Sequence, residues 1–349
     1  MLKRFISYYK PHKLIFSLDM LASLAISLIG IVYPIVTRKM LNDLIPNENY
    51  RMIIIAGISL LAIYLIRMML NYFIQYYGHV MGVRMQAQMR SDMFNHLEKL
   101  PYSFYDNNET GKIMSRMTND LMSISELAHH GPENLVISSL TIVISFIYLA
   151  TINLYLTLIV FICVPVLILI ACLLLKRMNE AFMESKKSVA EINASLESSI
   201  SGIRVTKAFT NAEKEKEKFE IGNNMFVRAR SKAYNAMGLF HSSTSFITDV
   251  FNVIVLIAGG LFLYNDIINF GDYSAFVLSV GLFISPVMTL VCFTEQLQDG
   301  ITGFKRFLEI MDTPPEADSE DATPIEGVRG DIRFKDVHYG YDGSSDVLH

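Results

Sequence analysis

The stretch Leu149-Ala150-Thr151-Ile152-Asn153-Leu154-Tyr155-Leu156 decides the fold. It is a turn around Thr151-Ile152-Asn153 between two apolar runs, 135–153 and 154–175. Each run is long enough to cross a bilayer as a helix, which takes roughly 20 residues. Working outward, four more runs of this kind occupy 14–36, 52–77, 246–264 and 273–293. The connections between the six alternate in length. Segments 37–51 and 265–272 are as short as the central turn calls for, whereas 78–134 and 176–245 are long and charged. The implied fold class is an all-α polytopic membrane protein: six transmembrane helices with long cytoplasmic helical extensions. Long polar hairpins confined to one side are built to touch something on that side.

Composition agrees. Of 349 residues 52% are hydrophobic, and the mean hydropathy of +0.34 is too high for an ordinary soluble domain. A net charge of −4 carries no nucleic-acid footprint. The placement of charge says more. Of 30 Lys and Arg, 26 fall before the first run, in the two long connections or after residue 293. Positive residues stay cytoplasmic, so both termini and both long loops are expected inside a cell (plasma) membrane. Segment 1–13 mixes basic and aromatic residues and suits a short helix lying on the inner membrane surface. Run 14–36 reads as a retained span and not as a signal peptide, because it is too long, carries Asp19 and lacks a small-residue cleavage site. Cys163, Cys172 and Cys292 sit in or beside spans without metal-ligand spacing and read as inert thiols, so no metal site is expected.

The long loops have 57 and 70 residues and are rich in helix formers. Two helices in each, at about 1.5 Å per residue, make arms reaching roughly 40 Å below the membrane. The first arm turns in 100–111, where Pro, Asn and Gly cluster; the second turns in 203–213, with Asn211 as a cap for the returning helix. Both tips carry aromatics, Tyr102, Phe104 and Tyr105 in one and Phe209 in the other, which points to docking into a pocket. Glu213 to Lys218 alternates sign and reads as a solvated helix face.

Three stretches then carry a resemblance. Leu100-Pro101-Tyr102-Ser103-Phe104-Tyr105-Asp106 with 110–120, Gly202-Ile203-Arg204-Val205-Thr206-Lys207-Ala208-Phe209, and 304–312 resemble the two intracellular loops and the sixth-span exit of exporter-type ABC transporters. The resemblance implies a transmembrane domain over 14–310, a linker over 311–330, and the start of a nucleotide-binding domain over 331–349. It further implies that Tyr105, Asp106, Asn107, Ala208, Phe209 and Thr210 couple the spans to that domain. The alternation in 332–341 suits its first β-strand. Tyr341 matches the aromatic that stacks on the adenine of ATP, a contact worth about 1–3 kcal/mol. ATP and Mg are therefore expected as cofactors of a full-length protein. No Gly-x-x-x-x-Gly-Lys-Ser/Thr loop, which would cradle the phosphates, occurs in these residues. They are not expected to hydrolyse ATP alone, and a fragment of a longer protein is expected over a broken gene.

Within the spans, polar residues recur at helical spacing: Asp19, Ser23 and Ser27; Tyr64, Arg67, Asn71 and Gln75; Ser245, Thr248 or Asp249, and Asn252; and Ser285, Met288, Cys292, Glu295 and Asp299. Charge facing lipid is costly, so these stripes should face the bundle interior or a cavity. Arg67, Asp249, Met288 and Glu295 are the candidate cavity residues, with Arg67 expected to pair with Asp19 or Asp249. Nineteen Met suit loose binding of varied apolar molecules, and Pro286 should kink the sixth span. The reading is the membrane half of an ATP-driven exporter of hydrophobic or amphipathic, drug-like cargo. Its expected partners are membrane lipid and a second half-transporter, identical or related. A lipid flippase on the same scaffold and a non-transporting fragment are the alternatives.

Overall fold

The computed structural model describes residues 1–316, 321–323, 327, 330 and 332–338. Six helices in it are long and apolar enough to cross a membrane: Leu2–Leu44, Tyr50–Leu97, Thr110–Ile152, Leu154–Ser201, Ala212–Tyr264 and Phe270–Met311. They run from 42 to 53 residues. At 1.5 Å per residue that is about 63–80 Å, at least twice the roughly 30 Å hydrocarbon core of a bilayer. Each helix therefore continues well past the membrane. The helices are joined on one side by turns of one to five residues, and on the other side they extend into two arms.

Several helices are composite, and at two of the breaks a proline stands three residues further on. In the first span α1 (Leu2–Ser7) leads through a short turn to α2 (Lys13–Gly30) and α3 (Val32–Lys39). The break at Ile31 lies three residues before Pro34, whose ring and missing N–H spoil the preceding turn. The same spacing recurs in the fourth span, where α9 (Leu154–Phe161) and α10 (Cys163–Ser201) part at Ile162, three residues before Pro165. The second span is α4 (Tyr50–Phe73), a π-turn over Ile74–Gly78, and α5 (His79–Leu97). Short helices α6 (Tyr102–Asn107) and α7 (Thr110–Ser115) precede α8 (Leu121–Ile152), which passes through Pro132 unbroken. A proline there strands the carbonyl four residues back, and the Tyr9 hydroxyl donates to that Ala128 oxygen at 2.6 Å. The chain closes with α11 (Ile203–Ala208), α12 (Ala212–Tyr264) and α13 (Phe270–Met311). Pro286 also lies inside continuous helix, in α13.

Helix α13 packs along α8, α8 packs on α2, and α10 pairs with α12. One core fills the spans, built on Phe251, Phe276, Phe283, Leu156 and Leu167. A second fills the first arm. On the short-loop side Asn269 and Asp272 form a capping box at the start of α13. Arg38 Nε lies 2.5 Å from the Asp272 carboxylate, and the Gly271 N–H donates to Asn42 at 2.9 Å. A Cβ on Gly271 would stand 2.1 Å from that Asn42 oxygen, so only glycine permits the contact.

The strand expected over 332–341 is not formed in its described part, 332–338. Ile332 and Phe334, which a half-buried strand would hide, are exposed. A strand is stabilised by a ladder partner and a packed face, and neither is present among the described residues.

Candidate functional site

At the arm tips the sequence breaks the helix and then restarts it for six residues. Pro101 is extended (φ −66°, ψ 156°), so α6 begins at Tyr102, and Asn108 returns to extended backbone (φ −128°, ψ 121°). The tip is thus a short helix and not a bare turn. Asn107 and Asn108 side chains each donate to the carbonyl four residues back, at 2.9 and 2.8 Å. The aromatics diverge. Phe104 packs into the arm core, Tyr105 donates its hydroxyl to Leu97 at 2.5 Å, and Tyr102 stands 84% exposed. Burial, and then the neighbouring Glu98 carboxylate, push the Tyr105 phenol above its ordinary range. In the second arm α11 is the matching short helix. Ala208, Phe209 and Thr210 end it with all three side chains exposed, and Thr210 adopts φ +53° to turn the chain. Asn211 occupies the cap position of α12, but its side chain makes no capping bond.

The exit of α13 is stitched to the first arm. Arg116 reaches Glu309 at 3.1 Å, Arg306 reaches Asp120 at 3.3 Å, and Arg4 pairs with Asp312. Beyond the helix, His96 Nε2 lies 2.9 Å from the Thr313 carbonyl, and the Glu316 N–H donates to Lys99 at 2.7 Å. The α1 aromatics close the joint: Phe5 meets Phe304 edge-on at 5.2 Å, and Tyr8 meets Phe307 at 6.2 Å.

The polar stripes divide into two kinds. Asp19, Ser23 and Ser27 are buried, as helix α2 turns that face onto α8. The stripes on α4, α12 and α13 lie largely open on this chain. Arg67 is half-buried, Asp249 and Glu295 are exposed, and Met288 is half-buried in the seam between α10 and α13. Glu295 lines two clefts, one of about 620 Å³ against α10 and one of about 330 Å³ against α8.

The expected pairing of Arg67 with Asp19 or Asp249 is not formed. Asp19 instead packs against Gly78, its Oδ1 standing 3.4 Å from where a Cβ would be. Gly78 lies eleven residues beyond Arg67, about 16 Å along a helix, so the arginine sits three turns too far out. Tyr341 lies outside the described residues.

One constellation was missed. His79 of α5 and His129 and His130 of α8 meet with ring centroids 4.0 to 5.0 Å apart. The available signal was His129-His130-Gly131-Pro132-Glu133 just ahead of one apolar run, with His79 just behind another.

Six spans, arms on one side, and exposed short helices at both arm tips define a polytopic membrane protein whose arm tips stand open. The model of the ABC transporter transmembrane region matches residues 16–287, and the chain belongs to that family. It is 37% identical to the uncharacterized ABC transporter ATP-binding protein YwjA of Bacillus subtilis (strain 168), over all of this chain and 61% of that protein. It is 24% identical to a protein of the same organism named "Putative multidrug export ATP-binding/permease protein YgaD", over all of this chain and 61% of that protein. To the ATP-dependent lipid A-core flippase of Thiobacillus denitrificans it is 23% identical, over 97% of this chain and 58% of that protein. The chain spans about six tenths of the length of these relatives. ATP belongs to the full-length relatives, by their names. The residues present here include no phosphate-cradling loop, so no step through ATP or Mg is assigned to them.

Proposed function

We propose that this chain is the membrane half of an exporter that moves hydrophobic or amphipathic compounds out of the cytoplasm or the inner leaflet. A linker over 311–330 leads to a nucleotide-binding domain beginning at 331–349, where ATP and Mg bind in the full-length protein and Tyr341 stacks on adenine. Arms and both termini face the cytoplasm of a cell whose plasma membrane holds the spans. The observation that carries this reading is the pair of short tip helices, α6 and α11, with Tyr102 and Phe209 bare at their ends. An aromatic exposed at the end of a rigid lever is a docking anchor. Movement of whatever grips α6 and α11 is passed to the spans, because α12 runs unbroken from its arm into its span and α5 continues into α4 through the π-turn at Ile74–Gly78.

A second half-transporter, identical or related, completes the pathway. Arg67 and Asp249 on open faces would otherwise meet lipid, at a cost of several kcal/mol each. Together with Met288 and Glu295 they are the proposed cavity residues.

The test uses the full-length protein in liposomes, with dye efflux and ATPase measured together. Phe209→Ala is expected to cut efflux at least tenfold while ATP binding persists. Wild-type efflux in that variant would remove the coupling role.

A lipid flippase is the second reading. It is favoured by an apolar cleft of about 360 Å³ between α1, α8 and α13, lined by Leu2, Phe5, Leu135, Leu297 and Phe304 among others. Phospholipid-stimulated ATPase together with movement of a labelled lipid, and no dye efflux, would select it.

A further inference from the structure

We propose that His79, His129 and His130 form a binding site for a divalent transition metal of zinc type, at the point where the first arm joins the spans. One nitrogen from each ring lies within 4.8 Å of the other two. The tautomer of His129 is fixed. Its Nδ1 lies 2.9 Å from the Ser125 carbonyl, which can only accept, so Nδ1 carries the proton. That leaves the Nε2 lone pair free, and Nε2 is buried without a partner on a residue only 3% exposed. His79 Nδ1 is likewise buried and unpartnered. His130 Nδ1 lies 3.1 Å from Glu133, and Glu126 is 3.8 Å from its other nitrogen.

The arrangement has the parts of a metal site. Each ligating histidine of such a site normally gives its second nitrogen to a carbonyl or a carboxylate, which orients the ring; Ser125 and Glu133 hold those positions for His129 and His130. Imidazole nitrogens suit zinc, copper, nickel and cobalt over calcium or magnesium. Around Zn²⁺, nitrogens bound at about 2.1 Å sit roughly 3.4 Å apart, so from separations within 4.8 Å the three need to close by up to about 1.4 Å, within reach of side-chain rotation. Negative charge is at hand. Glu133 is buried, and Asp19 is buried with an unpartnered oxygen, close enough to His130 to interact with it. Gly82 makes the approach possible: a Cβ there would stand 2.9 Å from His129 Nδ1 and 2.9 Å from Ser125 Oγ. The ion would tie α5 to α8 at the root of the lever. This inference does not rest on the identity of the cargo or on the coupling role of the tips.

The experiment takes the full-length protein, purified in detergent without a histidine tag, and titrates it with Zn²⁺ alone, with Co²⁺ as the spectroscopic probe. The expected result is one ion per chain and the visible absorption of Co²⁺ bound by nitrogen in a low-symmetry site. His129→Asn keeps a side-chain N–H to offer Ser125 and removes the ligand nitrogen; it should weaken Zn²⁺ binding at least tenfold. His79→Gln should do the same, and Zn²⁺ should raise the melting temperature of the wild type but of neither variant. If His129→Asn fails to fold, the His79→Gln titration decides alone. Equal affinity in wild type and variants, or no stoichiometric binding by the wild type, overturns the site.

Discussion

The two arms have the same outline and opposite economies. In the first, Met81, Met85, Met89 and Met93 are all at most 1% exposed, one seam at four-residue spacing down α5. Leu121 and Ile124 of α8, Phe304 and Phe307 of α13, and Tyr8 behind α1 complete that core. In the second arm no residue between Ser185 and Ala229 is buried. Its two helices touch through the small side chains of Ala181, Ala233 and Ala236, and Arg230 lies over the Phe182 and Tyr234 rings at 5.5 and 4.9 Å. Past that seam Ile200, Val205, Phe209 and Ile221 are exposed. Large apolar side chains left open together are a feature of interaction sites. The first arm is therefore built into its own chain, and the outer part of the second leaves its apolar side chains open.

The largest effect separates them by one paired substitution. Phe307→Ala empties a ring from the first-arm core and should cost about 3–5 kcal/mol. Phe209→Ala in the second arm should change stability by less than about 0.5 kcal/mol, while affecting efflux. Thermal melts of both variants in one detergent check this; similar losses would erase the distinction. Next comes the alanine seam. Ala233→Leu forces extra methylenes between α10 and α12 and should cost about 1–3 kcal/mol, with the first arm's protection from hydrogen exchange unchanged. Loss of protection in both arms would mean that they fold as one unit.

A smaller effect tests how α1 is held to the first arm. Tyr9→Phe leaves the Ala128 carbonyl without a partner and should cost about 1–2 kcal/mol. In a Pro132→Ala background the restored N–H can take that carbonyl, and Tyr9→Phe should become nearly neutral. Melts of the four proteins of this cycle give the coupling directly; additive losses would show that the hydroxyl acts elsewhere.

What could be read from the sequence followed from periodicity. Apolar runs of bilayer length show in composition, as do arms that must reach beyond them, and the breaks in 100–111 and 203–213 mark the tips. The Met81-to-Met93 seam was visible as spacing too, but methionine is common in any apolar surface and the segment around it is polar. Partnerships across helices were not legible. The Arg67 stripe and the Asp19 stripe have the same period, and only axial position, set by the π-turn and the length of α4, shows that Asp19 meets Gly78. His79 and His129 lie fifty residues apart in the chain and meet because Gly82 lets two helices close.

The finest comparison concerns charge at the joint between α13 and the first arm. Asp120 and Arg306 are 3.3 Å apart, with side chains 14% and 52% exposed, and Arg116 and Glu309 lie beside them at 3.1 Å. A pair open to water on one side gains little, because solvent screens it and ordering a long arginine costs entropy. Asp120→Asn should therefore cost at most about 1 kcal/mol. The Asp120–Arg306 coupling from a double-mutant cycle should shrink further in 1 M salt, where the screening length is about 3 Å. Gly303 sharpens the expectation: a Cβ there would stand 3.0 Å from the Asp120 carbonyl, so the backbones are held close by packing whether or not the charges are present. A coupling well above 1 kcal/mol that resists salt would mean instead that the joint depends on its ion pairs, and that the first arm, like the second, is held at its edge by forces an outside partner could disturb.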